Sequence, residues 1–332
     1  MYIVAILGNI AILFIVKSEP RLHEPMYYFL CMLAVSDLVL STSIVPKTLS
    51  IFWFNSREID FGSCFTQMYL VHCFLVIESG MFTAMAFDRY VAICDPLRHS
   101  TILTNSIVAK IGLSVVLRGF MMILPIPIMG SRWPYCKTNI VPHTYCKHFS
   151  VVSLACADFR PSSYYSLCVT YLVPSVDGFL IAVSYIQILR AIFRLPTKDA
   201  RLKAFGTCGS HLCALSTLYI PDLSVSLMQR IASNVPLPVL ILMANVQLLM
   251  LPTLHPIIYG LMTKQIRDRL LWIVTQKRAG QSHYQAIISV LTTTKDKKQQ
   301  AASKCQEPAL KNAAPALRQC REKRGDQSRY KS

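Results

Sequence analysis

The sequence predicts an all-α membrane protein, a seven-transmembrane helix bundle with a short interfacial helix after the seventh. Three observations predict it. Of 332 residues, 53% are hydrophobic and only 15% are charged, whereas a soluble domain carries about 25% charge. Seven apolar runs lie near 1–16, 26–49, 64–94, 106–130, 162–193, 205–228 and 237–262, and a bilayer core takes roughly 20 apolar residues per helix. Basic residues gather in the connections after the fifth and seventh runs, as an inner-leaflet bias requires.

The first run is the odd member. Sixteen residues rising 1.5 Å each make about 24 Å, short of a 30 Å core. The helix is therefore expected to begin upstream of Met1 or to be a shortened one. Met1-Tyr-Ile-Val-Ala-Ile-Leu has no basic leader, so no cleavable signal peptide is expected, and no Asn-x-Ser/Thr acceptor occurs in the chain. Runs two to seven are long and continuous. Barrel strands would alternate over about 10 residues, and a backbone in hydrocarbon must satisfy its own polar groups, so helices are expected. After the seventh run, Ile266, Leu270, Ile273 and Val274 fall on one face of Gln265–Val274, an amphipathic segment suited to the interface.

Charge sets orientation. Arg190, Arg194, Lys198, Arg201 and Lys203 follow run five against Asp199 alone, and Lys264, Arg267, Arg269, Lys277 and Arg278 follow run seven against Asp268. Arg57 to Asp60 is close to neutral, and the loop after run four is mildly basic. The better fit is a multi-pass protein of the cell membrane, amino terminus outside and carboxyl terminus cytoplasmic. Thirteen basic against four acidic residues in 277–332 supply +9 of the net +17. That stretch lacks apolar periodicity and reads as a disordered basic tail beside anionic lipid. The chain thus divides into a seven-helix bundle, 1–275, and a tail, 276–332. No module accompanies the charge that would make nucleic acid the partner.

Four of the 12 cysteines, Cys64, Cys136, Cys146 and Cys156, fall on the outer side, where disulfides persist. Four cysteines allow three pairings, and spacing alone does not choose. Spacings of ten residues do not match a zinc site.

Charge within a membrane helix costs roughly 2.5–3.5 kcal/mol on insertion scales, so each such residue is a functional candidate. Here they are Asp37, His72, Glu78, Asp88, Arg89, Arg118, Asp177, His211 and His255. Snorkelling at helix ends suffices for Asp88 and Arg89 and serves for His211, and Arg118 reads equally as an interhelical hydrogen-bonding group. Asp37 and Glu78 lie mid-helix and are expected to share a buried polar pocket, with a cation such as sodium or with each other. No Gly-rich phosphate loop, His-Glu-x-x-His or Gly-x-Ser-x-Gly occurs, so no enzyme is expected, and no cofactor is implied.

Met85-Ala-Phe-Asp-Arg-Tyr-Val-Ala-Ile-Cys94 followed by Asp-Pro-Leu-Arg-His99 resembles the third-helix signature of olfactory receptors. Leu22-His-Glu-Pro-Met-Tyr-Tyr-Phe-Leu30, Ser184-Tyr185, Lys203-Ala-Phe-Gly-Thr-Cys-Gly-Ser-His211 and Pro256-Ile-Ile-Tyr259 follow in that family's order. Cys136, Cys146, Cys156, Glu78 and Tyr219-Ile-Pro221 look like its class I, fish-like branch, and the resemblance spans about 1–275. It implies a rhodopsin-like fold, Cys64 paired with Cys146 and Cys136 with Cys156, and coupling to the stimulatory olfactory G protein and adenylyl cyclase. Asp88 would hold Arg89 at rest; on activation Arg89 would swing toward the G protein, with Tyr90 beside it and Tyr185, His211 and Tyr259 rearranging nearby. Asn9 and Asp37 match the polar core of the first two helices, joined here by Glu78 and His255. His255 stands where the family usually has Asn, and Asp222 where it usually has an apolar residue.

The ligand implied is a small volatile odorant, with a carboxylic acid modestly favoured over an amine or neutral compound. Asp222, Ser226 and Arg230 recur every four residues and share one side of helix six. Arg230 would pair with a carboxylate and Ser226 would donate to it, while His72, Val76 and Ser79 line the opposite wall. The other reading of Arg230 is a headgroup anchor. Two rival functions stay open: a channel or transporter using Asp37, Glu78 and Asp177 as a polar path, and a receptor-like membrane protein that does not signal.

Overall fold

The computed structural model describes residues 1–136, 138–194, 197–231 and 236–276, with the side chains of a few further residues in the sixth and later helices left aside. Seven long helices follow the seven apolar runs: α1 (Tyr2–Ser18), α2 (Pro25–Phe54), α3 (Phe61–Cys94), α4 (Asn105–Ile123), α5 (Arg160–Arg194), α6 (Lys198–Ile231) and α7 (Leu237–Met262). An eighth, α8 (Lys264–Gln276), covers the amphipathic segment. Five of them are long and apolar enough to cross a membrane, and α1 is a shorter apolar helix.

Several helices outrun their apolar stretches because capping groups and water satisfy the ends. Pro25 opens α2, where its missing N–H costs nothing. Asn55 closes α2 in the left-handed region, φ 52°, with the Ser56 N–H reaching the Ser50 carbonyl. Asp60 then caps α3, its carboxylate accepting from Gly62 and Ser63 N–H. Prolines stand inside α2, α5, α6 and α7, where each removes a backbone hydrogen bond. After α4, Pro125 opens a further short helix, Pro125–Ser131.

The packing puts α3 at the centre, against α2, α4, α5 and α6, while α7 lies on α1, α2 and α6. Gly8 permits the α1–α7 approach: a Cβ there would stand 2.8 Å from Pro256. Large apolar side chains such as Phe14, Leu117 and Phe179 face outward and are more than half exposed, an arrangement suited to lipid and not to water. Between α4 and α5 the chain forms a plug. Cys64 and Cys146 stand at disulfide distance, Cα–Cα 5.5 Å, as do Cys136 and Cys156 at 5.8 Å. The first link ties the segment before the short helix His148–Val152 to the amino-terminal end of α3.

The chain divides into two compact units, Met1–Leu270 and Leu271–Ser332. In the first, Ile266 of α8 is buried. In the second, the backbone of Leu271–Gln276 continues α8, while the Val274 side chain and residues 277–332 lie outside the described residues.

Candidate functional site

Three polar assemblies run through the bundle, and their order follows from which helix each run supplies. The first is a cavity of about 520 Å³ bounded by α3, α5, α6, α7 and the plug. Its walls combine apolar side chains, Val76, Leu248 and Val225 among them, with polar ones such as His72, Ser79, Tyr219 and Gln247, and an enclosed, mixed lining of this kind suits a small molecule. Of the six residues expected to bind ligand, His72, Val76, Ser79 and Asp222 line it. The side chains of Ser226 and Arg230 lie outside the described residues. His72 is turned to its own helix, Nδ1 lying 2.8 Å from the Met68 carbonyl. Asp222 accepts from Gln247 of α7 at 2.9 Å.

The floor of the cavity is a four-helix network. Arg118 of α4 clasps Asp177 of α5 with two bonds of 2.7 Å. Ser79 of α3 donates to Asp177 Oδ2 at 2.6 Å and meets the Tyr219 hydroxyl of α6 at 2.9 Å. Gly80 makes room for it, since a Cβ there would lie 2.6 Å from Val115 and 2.8 Å from the Arg118 guanidinium. Arg118 is therefore an interhelical group, as one reading of the sequence had it, but as half of an ion pair.

Below lies the second assembly. Asp37 of α2, Glu78 of α3 and His255 of α7 are fully buried, with ligand atoms all within 4.8 Å of one another. His255 Nδ1 is 3.0 Å from Asp37. Neither Glu78 oxygen has a hydrogen-bond donor among the described residues, so the two carboxylates repel unless one is protonated and shares its proton with the other, or a cation lies between them. These donors fit a cation. Asn9 is elsewhere occupied, donating to the Ala5 and Pro252 carbonyls at 2.9 and 3.0 Å. With Asp177 committed to Arg118, the carboxylates Asp37, Glu78 and Asp177 divide between two assemblies.

The third assembly gathers at the carboxyl-terminal end of α3. Asp88 lies 3.7 Å from Arg89 and 2.9 Å from His99. Tyr185 of α5 bonds His211 of α6 at 2.7 Å, their rings stacked. Tyr259 is fully buried and its hydroxyl has no partner among the described residues. Tyr90 is half-buried against Phe87. Asp88 is 2% exposed and His211 is sealed, so neither snorkels to water at a helix end.

Sequence reasoning passed over Lys147, His148 and Gln247, all of which line the cavity. The signal was present in part: Lys147 follows Cys146, which a disulfide fixes over α3. Burial pushes the Lys147 ammonium below its ordinary range, opposed by the Asp222 carboxylate. His148, buried against Ser162 at 2.9 Å, is pushed down to about 3, first by burial and then by His72. His143 falls to about 4, again chiefly by burial.

Comparison with known proteins gives one consistent result. The olfactory receptor family profile matches residues 1–277. The chain is similar to olfactory receptor 51E2 of Homo sapiens, 47% identical over 271 residues, covering 82% of this chain and 85% of that one. It is 49% identical to human olfactory receptor 52B2 over 268 residues, 81% and 83% of the two chains. Olfactory receptor 51E2 of Rattus norvegicus matches at 47% over 271 residues, 82% and 85%.

Proposed function

The chain belongs to the olfactory receptor family, and from that premise we propose that the outer cavity seats a small odorant whose binding is relayed to a G protein. The chain is a multi-pass membrane receptor of the G-protein-coupled class and not an enzyme. The finer assignments are our reading. The amino terminus faces outside, the carboxyl terminus the cytoplasm, and the partner is the stimulatory olfactory G protein acting on adenylyl cyclase. Residues 1–275 form the receptor domain, and 276–332 a cytoplasmic tail apposed to lipid.

One observation carries the relay: Ser79 both lines the cavity and holds Tyr219 of α6. Its single hydroxyl proton goes to Asp177, so its lone pairs serve Tyr219. A ligand that reaches Ser79 competes for that oxygen and frees α6 to move. At the inner end, Asp88 restrains Arg89 only loosely, at 3.7 Å, and charge-assisted contacts of this kind make a two-state latch. Movement of α6 would part His211 from Tyr185, and Arg89 would turn to the G protein, with Tyr90 and Tyr259 at its side. Asp37, Glu78 and His255 would hold a cation such as sodium between α2, α3 and α7, supplying the charge the two carboxylates lack.

A carboxylic acid fits the same cavity. Lys147 at its mouth supports this by offering a cation, and Arg230 would add a second from α6. A charged hydrogen bond of that type is worth roughly 1.5–3 kcal/mol. Ligand-evoked cAMP in cells expressing the chain, tested against a panel of small volatiles, decides the reading; Ser79→Val, which removes the hold on Tyr219, is expected to raise basal cAMP and lose the ligand-evoked increment at equal surface expression.

A further inference from the structure

Among the residues lining the cavity, one bears an amine and one a carboxyl group, of opposite charge when ionised: Lys147 of the plug and Asp222 of α6. Each feels the other's charge, yet no direct ion pair joins them among the described contacts. The Asp222 carboxylate is held by a bond of its own, and Lys147 is positioned through its backbone. Asp222 Oδ1 is fixed by Gln247. Lys147 follows Cys146, whose N–H donates to Gln67 at 2.9 Å and whose sulfur is tied to Cys64. The wall offers apolar side chains, Val76, Val225 and Leu248.

Two opposite charges that face one cavity without closing on each other leave both counter-charges to be supplied from inside it. A simple acid satisfies Lys147 and is repelled by Asp222; a simple amine has the converse fate. We infer that the cavity is built for a small zwitterion, an ammonium and a carboxylate separated by a short apolar chain, with the carboxylate on Lys147 and the ammonium on Asp222. Preorganised charges of this kind lower the ordering cost of binding. The inference rests on the receptor reading for the identity of the cavity and departs from it in the ligand, since a zwitterion reaches the receptor dissolved in water and not as a volatile.

The test uses the full-length receptor in lipid nanodiscs and reads the thermal unfolding shift produced by valerate, amylamine, pentanol and ω-aminovalerate. ω-Aminovalerate is expected to stabilise the protein at a concentration about tenfold or more below the other three, the factor that one added charge-assisted contact confers. Lys147→Ala should reduce it to the rank of amylamine, and Asp222→Asn to that of valerate. The charge-exchanged pair Lys147→Asp with Asp222→Lys should recover the advantage, because the probe can bind reversed. Valerate or amylamine matching ω-aminovalerate on the wild-type receptor would overturn the inference, and that comparison needs no variant to fold. So would variants that shift the unliganded transition but keep the ligand ranking, which marks an ion pair closing the plug on α6. Binding by none of the four would also end it, while cAMP responses to uncharged volatiles would leave the receptor reading intact.

Discussion

Arg118 and Asp177 face each other as a two-bond fork, Nη1 to Oδ1 and Nη2 to Oδ2, both at 2.7 Å. The pair is unequally enclosed: the Asp177 side chain is 1% exposed and that of Arg118, on an apolar span, is 32%. Arg118→Leu strands a carboxylate in the bundle, a loss of about 3–5 kcal/mol for a broken buried pair. Asp177→Leu leaves a guanidinium on a long, flexible arm that can snorkel along α4, so it should cost less. Removing both should cost less than Arg118→Leu alone. Thermal unfolding in detergent measures all three, and strictly additive losses would contradict the pairing.

At the inner end, Asp88 is shared between Arg89 and His99, with the closer contact to His99. Asp88→Asn should release Arg89 and raise ligand-independent cAMP, while Arg89→Ala should abolish the ligand response at normal surface expression. A reporter assay with and without ligand reads both. Full signalling by Arg89→Ala would remove Arg89 from the coupling route.

The plug depends on Cys64–Cys146 more than on Cys136–Cys156, because only the first reaches a membrane helix and closes the longer loop, 82 residues against 20. Loss of a native disulfide costs about 2–5 kcal/mol in small secreted domains. Cys64→Ser should therefore lower surface expression more than Cys136→Ser. Peptide mapping under non-reducing conditions should recover both links, and a Cys64–Cys136 peptide would overturn the arrangement.

These features differ in how far the sequence revealed them. Helix positions were legible because lipid demands long continuous apolar runs, and the α8 face because its period is helical. The meeting of Asp37 with Glu78 was legible because two mid-helix carboxylates have few tolerable places. Arg118 with Asp177 was not: partners 59 residues apart meet only through the rotation of α4 and α5, which a hydropathy pattern leaves undefined. Lys147 looked like one more loop charge until the disulfide beside it fixed where the loop lies. Asn9 went to the Pro252 carbonyl because a proline inside α7 leaves that helix's backbone open to side chains from α1.

The plug should also respond to acid. His143 and His148 are held neutral, at about 4 and about 3, against an ordinary value near 6.5. Their folded pKa values are depressed, so the unfolded chain binds protons first. Stability is full above about pH 6.5 and falls as pH drops toward 4, by up to roughly 1.4 kcal/mol per unit for each histidine. Thermal unfolding between pH 7.5 and 4.5 should show this slope, and His148→Asn should flatten it. A slope unchanged in that variant would assign the acid sensitivity to other groups.

The central claim is that a ligand in the outer cavity drives G-protein signalling, and filling that cavity tests it most directly. Val76 lines it from α3, and only its backbone carbonyl takes part in the floor network, accepting from Arg118 at 3.3 Å. Val76→Trp therefore occupies the ligand's space and leaves the Ser79–Asp177–Tyr219 bonds in place. The measurement is ligand-evoked cAMP against surface expression, for a volatile that activates the wild-type receptor. Expected is a variant that reaches the surface, keeps its basal cAMP and no longer responds. An undiminished response through the filled cavity would contradict the claim.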